Sequence, residues 1–196
     1  MPKHNIFILI TLLLLLISCS KDLPIIENLS ETNYKLLSQD SVIVNFPDLY
    51  TGKIVVMGFI FTNCPDICPL TTNNMRIIQE KAKGDELSDL EFVALSFDPE
   101  TDSPYVLTNY IRIRNLDTSN WTFLTGDKNI IKSLLKEAQV FAMPSDSSTT
   151  SSGKKHYYYI HTDRISLIDT EGRIRKNYSG SNINTDEIIH DIKLLN

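Results

Sequence analysis

The 196-residue sequence has no excess of basic side chains, few cysteines, and no apolar run that reaches the length of a bilayer span. Lys and Arg number 19 against 24 Asp and Glu, which gives a net charge of −5 and argues against a nucleic-acid partner. Three cysteines are too few for a disulfide scaffold, so each one needs its own explanation. Hydrophobic residues at 42% and charged residues at 22% exclude a wholly disordered chain and indicate one globular domain with a tail.

The longest apolar run lies near the N-terminus, at residues 6–17. It has 12 residues, whereas a membrane span needs about 20, and its length and polar flank are typical of an export signal. The run ends in Leu-Ile-Ser-Cys, which is similar to a bacterial lipobox and makes Cys19 the predicted lipidation site. We therefore predict a lipoprotein signal peptide at residues 1–18, a tether at residues 19–40, and a membrane-anchored domain in an extracytoplasmic, oxidising compartment. An uncleaved anchor is the alternative.

Residues 41–196 alternate predicted strands with predicted helices. Apolar, β-branched runs at residues 54–61 and 90–97 predict strands that are buried on both faces. Helical patterns occupy residues 70–83, 103–113, 127–140 and 185–195. A polar, serine-rich stretch at residues 145–155 predicts an exposed loop. This order predicts one monomeric α/β domain with a thioredoxin-like fold, in which helices flank a central mixed sheet.

The remaining two cysteines, Cys64 and Cys68, lie between the first buried strand and the helix that follows it. Ligand chemistry concentrates at this end of a strand in α/β proteins, and a helix N-terminus lowers the pKa of a thiol. Two thiolates favour a soft ion, with Cu(I) first, because structural zinc would need four ligands. A structural disulfide is the alternative, although so short a loop gains little stability from cross-linking.

A third ligand could come from one of four histidines. His4 falls in the predicted signal peptide, and His190 lies in the last predicted helix among acidic residues, which is typical of a surface position. His156 adjoins the serine-rich stretch, and His161 ends a predicted strand. A lone histidine is more often structural than a ligand, so these patterns alone leave the third ligand open.

Three segments in order along the chain together resemble the Sco/SenC family. They are FTNCPDICP at residues 61–69, SFDPETDS at residues 96–103, and a histidine ahead of Leu-Ile-Asp-x-x-Gly at residues 167–172. The resemblance covers residues 41–196 and implies a membrane-anchored, thioredoxin-like copper protein. Such proteins help to assemble the CuA centre of cytochrome c oxidase, so the implied partner is the CuA-bearing subunit.

The resemblance maps the copper ligands of the family onto Cys64, Cys68 and His161, with Cu(I) as the first candidate ion and Cu(II) as the second. His156 is the fallback for the third ligand, because the alignment is loose across the serine-rich stretch. Asp98 matches an acid that lies near the metal site in the family, and we do not assign it as a ligand. The chain also departs from the family in carrying Ile60 where glycine is usual.

The leading functional hypothesis is a copper-delivery protein that passes its ion on by ligand exchange. The alternative is a thiol–disulfide oxidoreductase that uses Cys64 and Cys68 as a redox pair to keep exported cysteines reduced, CuA ligands included. Against this alternative, the spacing is C-x-x-x-C rather than C-x-x-C, and residues 161–164 lack the proline usual opposite the motif. A peroxiredoxin-like peroxidase is a third hypothesis. It rests on Thr62 two residues before Cys64, but the preceding strand lacks the expected proline.

Overall fold

The computed structural model of the protein describes residues 23–64, 67–149 and 155–196, so the predicted signal peptide and Cys19 lie outside the described residues. The described residues form ten β-strands and four α-helices. The strands are β1 (Glu27–Asn28), β2 (Tyr34–Ser38), β3 (Ile43–Phe46), β4 (Ile54–Ile60), β5 (Leu90–Ser96), β6 (Trp121–Gly126), β7 (Ala142–Thr149), β8 (Lys155–His161), β9 (Ile165–Ile168) and β10 (Arg173–Tyr178). The helices are α1 (Ile67–Gly84), α2 (Pro104–Arg114), α3 (Lys128–Glu137) and α4 (Thr185–Leu195). None of these helices is both long and apolar enough to cross a membrane.

Eight strands form one mixed sheet in the order β1-β10-β9-β4-β5-β6-β2-β3. Strands β4, β5 and β6 are parallel to one another, with α1 and α2 as the crossovers between them. Strand β9 then pairs antiparallel with β4, and β10 pairs antiparallel with β9 and leads into α4. All residues of β4 are buried, as predicted for a strand covered on both faces. The predicted thioredoxin-like fold with a central mixed sheet is confirmed.

Helix α1 packs closely on β4 because Gly58 leaves room for it. A Cβ atom at this position would overlap Sδ of Met75, which projects from the middle of α1. The helix therefore approaches the strand more closely than a larger residue would allow. This contact fixes the axis of the helix whose first turn carries Cys68.

The sheet extends beyond the domain boundary that the sequence predicts at residue 41. The predicted tether, residues 19–40, includes β1, which pairs with β10, and β2, which pairs with β3 and β6. Leu29, Tyr34 and Leu36 are buried. The short strands are stabilised by pairing with distant strands, a contribution that no local pattern in the sequence reveals. The domain therefore begins before residue 41.

A hairpin replaces part of the exposed loop predicted at residues 145–155. Strands β7 and β8 pair antiparallel in a two-stranded sheet that is separate from the main one. Residues 150–154 lie outside the described residues. Serine-rich strands are possible here because the two strands are held by backbone pairing, which does not require apolar side chains. The hairpin ends at His161, so it positions this side chain.

Candidate metal centre

The segment between β4 and α1 brings the two cysteines together. Cys64 follows β4, and Cys68 lies in the first turn of α1. The backbone N–H of Cys68 donates to Sγ of Cys64 at 3.4 Å, and the N–H of Phe61 donates to Sγ of Cys68 at 3.5 Å. Cys68 is buried, whereas Cys64 is partly exposed. The sulfur of Cys64 is therefore the one that a solvent-borne partner reaches first.

The third member of the site is His161, the last residue of β8. One ligand atom from each of Cys64, Cys68 and His161 can be chosen so that all three lie within 4.8 Å of one another. The Nδ1 atom of His161 lies 3.1 Å from the carbonyl oxygen of Thr162. A carbonyl oxygen only accepts a hydrogen bond, so this contact assigns the proton to Nδ1 and leaves the Nε2 lone pair available to a metal ion.

The contacts of His161 and Cys68 with Cys64 favour the protonated forms of His161 and Cys68. A hydrogen bond with Cys64 raises the pKa of His161, and this effect outweighs the opposite effect of burial. The pKa of the Cys68 thiol is also raised, first by its hydrogen bond with Cys64 and then by burial. The lowered thiol pKa expected at a helix N-terminus is therefore wrong for Cys68, because these two effects act in the opposite direction. Burial disfavours an unpaired thiolate anion. His161 and Cys68 therefore favour their protons when no cation is present, and a soft cation would compete with these protons.

Aromatic rings form a wall around the imidazole. The centroid of the His161 ring is 5.0 Å from that of Phe97 and 6.3 Å from that of Phe61. Tyr159 packs against both phenylalanines, at 5.0 Å and 5.1 Å between ring centroids. These contacts orient the imidazole and exclude water from one side of it. This wall is not among the features predicted from the sequence, although the alternation of side chains in β8 indicates that Tyr159 and His161 share a face.

A buried carboxylate, Asp102, fixes the start of the cysteine segment. It accepts hydrogen bonds from the backbone N–H of Thr62 at 2.9 Å, from the hydroxyl of Thr62 at 2.5 Å, and from the hydroxyl of Ser96 at 2.6 Å. Its exposed fraction is 0%, and burial raises its pKa. Asp102 thus connects the ends of β4 and β5 to the turn before α2. Asp102 belongs to the segment at residues 96–103 that carries the family resemblance, but the sequence pattern does not predict its role.

Within the described part of the chain, the other residues considered from the sequence are not brought to the three ligand atoms. Asp98, which we did not assign as a ligand, is buried, and it accepts a hydrogen bond from the Tyr159 hydroxyl at 3.3 Å. His190 is exposed on α4, as predicted. His156 pairs with Ser148 in the hairpin, about 16 Å along β8 from His161, and the position of its side chain lies outside the described residues. His4 also lies outside the described residues.

Comparisons with known proteins identify the relatives of this chain. The SCO1/SenC family model matches residues 26–195. The SCO1 protein homolog of Bacillus subtilis strain 168 is 32% identical over 157 residues, which are 80% of this chain and 77% of the relative. A SCO1/SenC family lipoprotein from Bacillus anthracis aligns with a TM-score of 0.70 at 34% identity, covering 90% of this chain and 96% of that one. The structure of Bradyrhizobium japonicum ScoI with copper bound aligns with a TM-score of 0.69 at 26% identity, covering 84% and 98%.

Proposed function

Because the chain belongs to the SCO1/SenC family, we propose that it binds copper through Cys64, Cys68 and His161 and acts in the assembly of cytochrome c oxidase. The observation that carries this proposal is the approach of two sulfurs and one imidazole to within 4.8 Å. Sulfur and imidazole ligands suit Cu(I), and a structural zinc site would need a fourth ligand. Among the described residues, the group of metal-ligating side chains has three members.

The different exposure of the two sulfur ligands supports delivery of the ion to the CuA-bearing subunit. Cys64 is partly exposed and Cys68 is buried, so a thiolate of the acceptor can replace Cys64 before it replaces Cys68. Each exchange keeps the ion bound to sulfur, because a new ligand joins before an old one leaves. A three-coordinate site leaves room for that incoming ligand, whereas a closed tetrahedral site does not.

A lipid on Cys19 would place the protein, as a monomer, on the extracytoplasmic side of a membrane. The lipobox-like Leu-Ile-Ser-Cys sequence supports this arrangement, and the similar Bacillus anthracis protein is a lipoprotein. Intact-mass analysis of the native protein tests it. We expect loss of residues 1–18 and the added mass of acyl chains on Cys19. A full-length chain without acyl mass contradicts the lipid anchor.

Copper binding is tested by titrating the reduced protein, purified in detergent, with Cu(I) in competition with a chromophoric chelator. We expect one Cu(I) per chain and loss of that site in Cys64→Ser. Removal of an outer-shell partner of a metal ligand typically costs 10–100-fold in affinity, so His161→Ala should cost at least about 100-fold. His190→Ala is the matched control, because its imidazole is exposed on α4. Wild-type affinity in Cys64→Ser contradicts the assigned site.

The oxidoreductase remains a second candidate because the two sulfurs lie within 4.8 Å of each other. A disulfide between Cys64 and Cys68 requires the sulfurs to move together to about 2 Å. Thiol exchange needs only these sulfurs and access to them. His161→Ala separates the two functions, because it should weaken copper binding and leave reduction of a disulfide substrate intact. Catalytic reduction by wild type without copper binding would favour the oxidoreductase.

A further inference from the structure

A groove beside the metal centre is lined by none of the three proposed copper ligands. It lies between α3, the segment that leads into β7, and the turn after β5, and its volume is about 730 Å³. We call it the α3 groove, and the lining residues that matter here are Phe97, Tyr159, Phe141, Met143, Lys132 and Lys136. The groove shares residues with the metal centre and also has an apolar floor and a basic rim.

The floor of the α3 groove exposes large apolar side chains to solvent. Phe141 is 53% exposed and Met143 is 49% exposed, and both lie on the chain that enters the hairpin. Apolar side chains that cluster at a concave surface are typical of an interaction site, whereas isolated ones are common on any protein. The floor is therefore suited to receive apolar side chains of a partner.

A row of lysines forms the rim. Lys128, Lys132 and Lys136 occupy positions i, i+4 and i+8 of α3, so they lie along one face of the helix. Lys128 forms an ion pair with Glu100 at 2.7 Å, whereas Lys132 and Lys136 form no ion pair with any described residue.

Helix stability accounts for only one residue of this row. The helix dipole favours Lys136, which lies in the last turn of α3. It disfavours a cation at Lys128, the first residue, and like charges at i and i+4 destabilise a helix. The row is also unusual for a chain whose net charge is −5. A basic rim that helix stability explains only in part is suited to attract an acidic partner.

Two aromatic residues belong both to the α3 groove and to the wall of the metal centre. Phe97 and Tyr159 line the groove, the Phe97 ring lies 5.0 Å from the ring of His161, and the Tyr159 ring lies 5.1 Å from that of Phe97. A partner seated in the groove would therefore contact the rings that orient His161. Such a partner would sit next to the ion, which ligand exchange requires.

We propose that the α3 groove docks the protein that accepts the copper ion, through a segment of apolar side chains flanked by carboxylates. This inference rests on the proposed function and identifies the surface and the partner chemistry that serve it. The lysine row steers the acidic segment toward the site, and the apolar floor holds it there while ligands exchange.

The test measures transfer of Cu(I) from the loaded full chain, in detergent, to the purified apo CuA-bearing domain of the oxidase from the same organism. The basic rim is removed in Lys132→Gln/Lys136→Gln. The control is Lys81→Gln/Lys83→Gln, which removes the same charge from the far end of α1, about 20 Å along the helix from Cys68. Unlike the rim lysines, Lys81 and Lys83 form ion pairs, with Asp186 and Asp117, so the stability of each variant is measured by denaturant unfolding. At low ionic strength, we expect the rim variant to transfer copper about tenfold more slowly and to lose most of its salt dependence. The control should behave like wild type.

The apolar floor is tested separately with Phe141→Ala, for which the exposed Ile113 of α2 supplies the control Ile113→Ala. We expect Phe141→Ala to weaken the complex with the CuA-bearing domain about fivefold and the control to leave it unchanged. All variants should bind one Cu(I) with wild-type affinity, because none of these side chains is a ligand.

The outcomes separate this inference from the proposed function. If wild type fails to bind Cu(I) or to transfer it to the CuA-bearing domain, both the proposed function and the proposed docking surface are contradicted. If wild type transfers copper and the rim and floor variants transfer it equally fast, only the docking surface is overturned. Two other results with unchanged copper transfer would also overturn the docking proposal. Lysine-dependent binding to phosphatidylglycerol vesicles would assign the groove to lipid, and lysine-dependent self-association in sedimentation would assign it to a second copy.

Discussion

The hydrogen bonds of Asp102 give a prediction about how the cysteine segment is positioned. In Asp102→Ala, the N–H and hydroxyl of Thr62 and the hydroxyl of Ser96 lose their acceptor. Each buried donor left without a partner costs about 1–3 kcal/mol, and the part-buried Thr62 groups can recover some of that from water. We therefore expect the free energy of unfolding to fall by about 3–5 kcal/mol. Cu(I) affinity should also fall, because Thr62 lies two residues before Cys64.

The conservative variant Asp102→Asn separates positioning from charge. An asparagine oxygen can still accept from the N–H of Thr62 and the hydroxyl of Ser96, and the Thr62 hydroxyl can rotate to accept from the amide. We therefore expect Asp102→Asn to retain most of the stability and wild-type Cu(I) affinity. Asp191 supplies a control, because it is a buried carboxylate that binds Lys176 and Tyr178 away from the site. Asp191→Ala should lower stability and leave copper binding unchanged.

The pH dependence of stability provides an independent check on Asp102. Burial raises the pKa of Asp102 in the folded protein above its unfolded value. A group with a raised folded pKa contributes stability in acid that is lost as the pH rises through the folded value. Asn cannot ionise, so Asp102→Asn should gain stability relative to wild type as the pH rises from the acidic range to neutrality, as measured by denaturant unfolding. Wild-type Cu(I) affinity in Asp102→Ala would refute the positioning role.

Further predictions concern the metal ligands and the packing of α1. Oxidation of Cys64 and Cys68 to a disulfide should abolish Cu(I) binding, and bound Cu(I) should protect both sulfurs from iodoacetamide. Stoichiometric copper on the oxidised protein would contradict the assigned site, because the ion would then lie elsewhere. Cu(I) affinity should fall as the pH is lowered, because protons compete with copper for His161. The fall should begin at a higher pH than for an ordinary imidazole, since the pKa of His161 is raised. A chelator titration from about pH 8 to about pH 5 checks this, and a flat profile would contradict it. Gly58→Ala should destabilise the protein by about 1–3 kcal/mol in denaturant unfolding, because the alanine Cβ would overlap the side chain of Met75 in α1. Wild-type stability of this variant would mean that α1 can shift without cost.

The central strands and the cysteine pair could be predicted because local patterns determine them. A strand buried on both faces needs a continuous apolar run, and β4 and β5 each have one. The position of Cys64 and Cys68 then follows from the order strand, turn, helix. His161 could be preferred over His156 only through the family resemblance, since the approach of the hairpin to the cysteines is a tertiary contact.

The features of the fold and of the site that the sequence does not predict depend on contacts between residues far apart in the sequence. Strand β2 lies next to β6 although nearly 90 residues separate Leu36 from Gly126, and the pattern of β2 alone is weak. The role of Asp102 also depends on partners about 40 residues away in the sequence, the Thr62 groups at the end of β4. Composition and periodicity report burial and local geometry, and they do not specify which distant groups meet.

The placement of His161 on a separate two-stranded sheet has a mechanical consequence. The two sulfur ligands belong to the body of the domain, whereas the nitrogen ligand belongs to a hairpin, an element that is marginally stable by itself. A copper ion bound to all three ligands would therefore link the hairpin to the main sheet. Its binding free energy would oppose local unfolding of β7 and β8. Amide hydrogen exchange in the hairpin would then report copper occupancy, while exchange in β4 and β5 would not.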